Sequence, residues 1–247
     1  VYDASYTDNL GNYKLVRIKE CYPYALKMVR DEAGSLSPSA RDGATFDAAK
    51  RRLIAAYQKN HKLFSLDVGT NSIANTFGIY EANGTVYIVS VYMNGRTFTE
   101  YQGNTLHDCI SLLIGAAKAL RRIHDAGYLY LDLKPDNILT LEGSLDLVQL
   151  FDFDSMVSMD ELEKAIQTNH PEGLSTSYTK GYASLEQQTG KLRQMGKHSD
   201  IYSLGAVLFY ALWNTTPSAF DCDPAAVYDY AQMTLSLIHI SEPTRLD

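Results

Sequence analysis

Cysteine is scarce in this chain of 247 residues: Cys21, Cys109 and Cys222 stand far apart, with no Cys-x-x-Cys pair and no Cys/His cluster. That spacing carries neither a disulfide framework nor a zinc site, and it suits reduced thiols in a cytoplasmic chain. Basic residues are also in the minority, 22 against 29 acids, for a net charge of −7. A dedicated nucleic-acid binder would show a basic face, so no nucleic-acid partner is expected. Long apolar runs are missing as well. Leu204–Trp213 is about half of a membrane span, and no signal-peptide pattern is visible. A cytoplasmic domain without a membrane segment is the expectation. What is present is a 45% hydrophobic content, enough for one large core or two modest lobes.

The first third reads as β-rich. Tyr13–Arg17 and Tyr24–Val29 pattern as paired strands around a turn at Glu20–Pro23, and Asp31–Gly43 as a loop. Phe46, Ala49, Leu53, Ala56 and Tyr57 predict an amphipathic helix over Thr45–Asn60. Ile73–Tyr80 and Thr85–Met93 are strands joined by Glu81-Ala-Asn-Gly84, a strong hairpin signal. Asn94-Gly95-Arg96 breaks the pattern. Beyond it Leu106–Ala126 is a helix with Ile110, Leu113, Ala117, Leu120 and Ile123 on one face, ending at Gly127. Short strands at Ile138–Leu141 and Leu147–Phe151, a polar stretch Asp154–Lys180 partly helical over Met159–Thr168, and an apolar helix Asp200–Trp213 complete the layout.

Chemistry concentrates in Tyr130-Leu-Asp-Leu-Lys-Pro-Asp-Asn137. This stretch resembles the catalytic loop of protein kinases, H-R-D-L-K-P-x-N. Phe151-Asp-Phe-Asp154 resembles the metal-binding D-F-G, with Asp154 in place of the glycine. Thr179-Lys-Gly-Tyr-Ala-Ser-Leu-Glu-Gln187 is similar to the end of the activation segment in bacterial members, and Ser199-Asp-Ile-Tyr-Ser-Leu-Gly-Ala206 to the start of the lobe's central helix. The resemblance runs from about Tyr6 to Pro217.

It implies that Asp132 orients the acceptor hydroxyl and takes its proton, that Lys134 neutralises charge at the γ-phosphate, and that Asn137 and Asp152 ligate Mg2+. Thr179 would contact Asp132 and Lys134, and Asp200 would accept backbone N–H groups of the catalytic loop. Tyr24-Ala-Leu-Lys27 resembles the V-A-I-K strand, so Lys27 would meet the α- and β-phosphates of ATP. Adenine would meet the hinge Val91–Met93, with Ala25 above, Leu139 below and Ser90 as gatekeeper. The phosphate-covering glycine loop falls on Tyr6, Asp8, Gly11 and Tyr13, where only Gly11 matches.

Other departures bear on regulation. The predicted helix Thr45–Asn60 has no glutamate to pair with the lysine, and Asp47 is its one acid. Leu131 replaces the arginine that pairs with a phosphorylated activation loop, so activity is expected without phosphorylation of Ser175, Thr176 or Ser177. Glu186 is expected unpaired, because its usual basic partner lies in helices that the resemblance places beyond this chain. Leu235–Arg245 is similar to a translated sequencing adapter and is left out of the fold reasoning.

The resemblance therefore implies an α+β, two-lobed protein-kinase-like fold with ATP in the cleft. Residues 1–93 would form a β-rich lobe and 94–234 a C-terminally truncated helical lobe, with 235–247 an artefactual tail. The function it implies is ATP- and Mg2+-dependent phosphorylation of Ser/Thr hydroxyls on protein substrates. A pseudokinase without turnover and a small-molecule kinase of related fold are the alternatives.

Overall fold

The computed structural model describes residues 1–66, 72–100, 105–141, 147–168, 174 and 178–217. Ser175, Thr176, Ser177, Cys222 and the adapter-like tail lie outside the described residues. Of the described residues, those up to Asn94 other than Ser72 form one compact unit, and Ser72 with those from Gly95 onward forms a second. The first is β-rich and the second mainly helical, the α+β layout expected.

The first unit is built on an antiparallel sheet of β1 (Tyr2–Thr7), β2 (Tyr13–Glu20), β5 (Thr76–Ala82) and β6 (Thr85–Val91), in the order β1-β2-β6-β5. Between β2 and β5 come a small hairpin of β3 (Met28–Arg30) and β4 (Leu36–Pro38), then helix α1 (Gly43–Leu66). Phe46 and Leu53 of α1 pack with Val86 and Ile88 of β6, together with Cys21 and Leu36. The β5–β6 turn is Asn83-Gly84 with both φ values positive, 49° and 73°, the turn that matches strand twist. A Cβ on Gly84 would come within 2.4 Å of the Leu36 carbonyl oxygen, so β4 approaches the turn as closely as glycine allows.

Two sequence expectations fail here. Tyr24–Val29 does not pair with the strand at Tyr13, which lies between β1 and β6 instead. Its last residues join β3, which pairs with β4 inside the stretch read as a loop. The cause is local: Pro23 cannot donate to a ladder, and its carbonyl accepts the Leu26 N–H at 3.0 Å to close a turn.

In the second unit α2 (Leu106–Asp125) packs on α5 (Lys197–Trp213) and on β10 (Val148–Leu150). A capping box between Thr105 and Asp108 starts α2. Its buried face carries Cys109, Leu112, Leu113, Ala116, Leu120 and Ile123, so Leu113, Leu120 and Ile123 are buried as expected, while Ile110 is 40% exposed. β7 (Gly95–Thr97) and β10 flank β9 (Ile138–Leu141), while β8 (Tyr128–Leu129) pairs with β11 (Val157–Ser158). Gly95 is needed where β7 meets β9, because a Cβ there would lie 2.4 Å from the Thr140 carbonyl oxygen. α3 (Met159–Thr168) and α4 (Leu185–Gln188) complete the unit. No helix among the described residues is long and apolar enough to cross a membrane.

Candidate functional site

In the second unit, two side chains of the loop between β8 and β9 and one from further along the chain, Thr179, meet on the Asp132 carboxylate. Thr179 Oγ1 donates to Asp132 Oδ1 at 2.6 Å, and Lys134 Nζ donates to Asp132 Oδ2 at 3.0 Å. The same ammonium reaches Thr179 Oγ1 at 3.1 Å. Asn137 Nδ2 holds the Asp132 carbonyl at 2.8 Å and its Oδ2 at 3.2 Å. A short 3-10 turn, Pro135–Asn137, brings Asn137 back onto Asp132. The result is a carboxylate oriented by a hydroxyl, an amide and an ammonium.

The loop itself is held from beneath by Asp200, which is fully buried. Its Oδ2 accepts the Tyr130 N–H at 2.9 Å and lies 2.7 Å from His124 Nε2, while its Oδ1 accepts the Leu131 N–H at 2.7 Å. From the other side Gln187 Nε2 donates to the Leu131 carbonyl at 2.8 Å. These bonds hold Leu131 at φ 63°, a conformation that costs a branched side chain about 1–3 kcal/mol. Asp152 stands at φ 62° as well. Tyr130, where the family has histidine, donates to the Phe151 carbonyl and packs edge-on against Phe153 with ring centroids 5.7 Å apart. Burial pushes the Tyr130 phenol far up, and the Asp152, Asp132 and Asp200 carboxylates push it further. It therefore serves as a neutral donor.

Asn137 and Asp152 supply the kind of hard oxygen donors that suit Mg2+. With Nδ2 of Asn137 engaged by Asp132, the oxygen end of that amide is the end available to a cation. No group of three or more His, Cys, Asp or Glu side chains disposed to hold a metal occurs among the described residues. Such a pair fits an ion that keeps waters and is shared with phosphates.

Glu186 is not left unpaired. Ser199 Oγ donates to its Oε1 at 2.6 Å, and His198 Nε2 lies 3.5 Å away. Burial would raise its carboxyl, but bonds from Ser199 and Ser184 outweigh that and hold it below its ordinary value.

In the first unit, three of the residues expected at ATP, Gly11, Ala25 and Lys27, stand outside the strands of the main sheet. Ala25 and Lys27 are exposed and lie outside the sheet, while Leu26 between them turns into the core. The strand beside β6 is β2, and it carries Val16-Arg17-Ile18-Lys19, which is similar to V-A-I-K. Lys19 stands opposite Ile88 in the ladder, so it shares the sheet face that packs on α1. The lysine of Val16-Arg17-Ile18-Lys19 has a signal in the sequence, though Arg17 stands where Tyr24-Ala-Leu-Lys27 keeps the alanine. Gly11 lies in the turn from β1 into this strand, and the Asp8 carboxylate there already accepts the Leu10 and Asn12 N–H groups, each at 2.9 Å. An anion is built into that turn, which disfavours a phosphate.

Two departures stand out in this unit. Arg17 pairs with Asp3 at 3.0 Å and sits over the Tyr92 ring at 5.5 Å, beside Val91 and Met93, the residues expected to meet adenine. The buried residues of α1 are Phe46, Leu53, Ala56, Asn60 and Leu63, with no acid among them, and Asp47 pairs with Lys50 of its own helix at 2.9 Å. In the second unit Leu139, the residue expected beneath adenine, is 5% exposed on β9 opposite Gln149.

The chain is 29% identical over 168 residues to Bifidobacterium longum PknB, named a probable serine/threonine-protein kinase, a match covering 66% of this chain and 23% of that protein. It is 32% identical over 181 residues to the similarly named CPE1738 of Clostridium perfringens, covering 72% and 22%. With serine/threonine-protein kinase PknA of Mycobacterium tuberculosis the identity is 30% over 175 residues, covering 68% and 36%. The matches span roughly a quarter to a third of these relatives. The solved structure of PpkA-294 in its apo form superposes with a TM-score of 0.66 at 24% identity, covering 92% of this chain and 80% of that one. The protein kinase domain matches residues 13–243, and with the loop around Asp132 assembled as described, the chain belongs to the protein kinase domain family.

Proposed function

We propose that the chain catalyses transfer of the γ-phosphoryl group of ATP to Ser and Thr hydroxyls of protein substrates, in the cytoplasm. The observation that carries this reading is the convergence of Lys134, Asn137 and Thr179 on Asp132. Phosphoryl transfer asks a protein mainly for positioning and charge neutralisation, and this cluster offers both. Asp132 would orient the acceptor hydroxyl and take its proton, and Lys134 would lie against the charge that develops on the transferred group. Asn137 and Asp152 would hold Mg2+, which when bound neutralises phosphate oxygens. In the first unit Lys19, rather than Lys27, would meet the α- and β-phosphates, and the backbone at Val91 and Met93 would meet adenine. In the second, Leu139 would pack on the adenine ring.

Two observations favour a second reading, a pseudokinase that does not turn over. Arg17 occupies the place of the small V-A-I-K residue and covers Tyr92, and α1 brings no acid toward the sheet. A transfer assay with radiolabelled ATP, Mg2+ and a generic protein acceptor separates the two. Transfer that disappears in Asp132→Asn supports the kinase. Absence of transfer, with ATP still raising the melting temperature, supports the pseudokinase.

A further inference from the structure

The residue before Asp132 is leucine, and its surroundings are apolar. Leu131 is 1% exposed and shares a cluster with Leu129, Val157, Leu162 and Met195. Its backbone is pinned by Asp200 on one side and by Gln187 on the other, so its side chain is committed to that cluster. Leu174 packs against the same cluster and is half-buried. Five residues further on stands Thr179, whose hydroxyl bridges Asp132 and Lys134. Leu174 and Thr179 are thus each tied to the loop around Asp132, one by an apolar contact and one by polar bonds.

We infer that Leu174 is a positioning residue, an apolar anchor that holds Thr179 in its working arrangement without a phosphate group. This rests on the reading of Asp132 and Thr179 as the acceptor site. A buried leucine at position 131 has no charge with which to hold a phosphate, whereas excluding water from Leu174 needs none. Anchoring of this kind acts through Thr179, so it governs the rate of transfer rather than the binding of ATP.

The test compares the unaltered chain with Leu174→Glu, Leu174→Ala and Leu174→Met, reading amide hydrogen exchange over Tyr178–Tyr182 and steady-state transfer. Leu174→Glu is expected to quicken exchange there and to lower kcat on the order of 10- to 100-fold, with the KM for ATP unchanged. Leu174→Met is expected to restore both. Should the glutamate variant fail to fold, Leu174→Ala carries the same comparison with a smaller effect. Exchange and kcat that stay at the level of the unaltered chain in Leu174→Glu overturn the anchor. If the unaltered chain transfers no phosphate, the proposed activity falls, and the exchange measurement alone decides the anchor.

Discussion

Thr179 and Asp132 are 47 residues apart in the chain, and the hydroxyl of one donates to the carboxylate of the other at 2.6 Å. The bond fixes which way the carboxylate faces, while Lys134 Nζ reaches both partners. Thr179→Ala is expected to lower kcat by about 10- to 100-fold, and Thr179→Ser to recover most of it. Steady-state transfer at saturating ATP measures this. Equal rates for the alanine and serine variants would show that the hydroxyl does not matter.

The lysine assignment is open to a direct contrast. Lys19 lies on a strand within the sheet and Lys27 on an exposed turn outside it. Lys19→Met is expected to reduce transfer by about 100-fold or more, whereas Lys27→Met leaves it within about twofold. The opposite ranking would return the role to Lys27.

Arg17 is held over Tyr92 by its ring contact and by Asp3, both near the surface. Removing it should uncover the backbone proposed to meet adenine. Arg17→Ala is expected to tighten ATP binding by about 3- to 10-fold, since such exposed contacts are weak to break. Titration calorimetry reads the change, and weaker binding would mean that the guanidinium serves the nucleotide.

Asp200 satisfies the Tyr130 and Leu131 amides and His124 from a fully buried position. Asp200→Ala leaves the two N–H groups without that acceptor, at an expected cost of about 2–5 kcal/mol in urea unfolding. A loss below about 0.5 kcal/mol would mean that water or a shifted neighbour replaces the carboxylate.

Acid should weaken the fold through Glu20 and Glu186. Burial raises the Glu20 carboxyl, but bonds from Arg30, Tyr87 and Tyr2 outweigh it, and the net shift is downward, as it is for Glu186. A carboxyl lowered on folding contributes stability above its unfolded value, near 4.5 for both, and loses it as pH falls through the folded value. The urea midpoint should therefore hold from neutral pH down to about 5 and drop as pH falls below about 4.5, less steeply in Glu20→Gln or Glu186→Gln. An unchanged slope in both variants would place the acid sensitivity elsewhere.

Much of the site was legible because it is local in the chain. Asp132, Lys134 and Asn137 sit within six residues, and a turn begun by Pro135 brings them together, so their order alone announces the geometry. The hairpin at Asn83-Gly84 and the helices α2 and α3 were legible for the same reason, since turn chemistry and periodicity act over neighbouring residues.

Strand partnership, by contrast, was a tertiary decision. Val16-Arg17-Ile18-Lys19 and Tyr24-Ala-Leu-Lys27 both present a lysine after an apolar residue, and local pattern cannot rank them. Pairing with β6, over 60 residues away, selects the first, and the turn closed on Pro23 removes the second. The partners of Glu186 were hidden for a related reason. Ser199 and His198 carry no signal for an acid 12 or 13 residues before them until α5 folds back and their atoms meet. The sequence by itself determined the family, the residues that gather at Asp132 and the order of the elements, because each rests on contacts between near neighbours. Which lysine joins the sheet, what covers Tyr92 and what anchors Leu174 follow from distant pairing and burial, which exist only once the chain has closed.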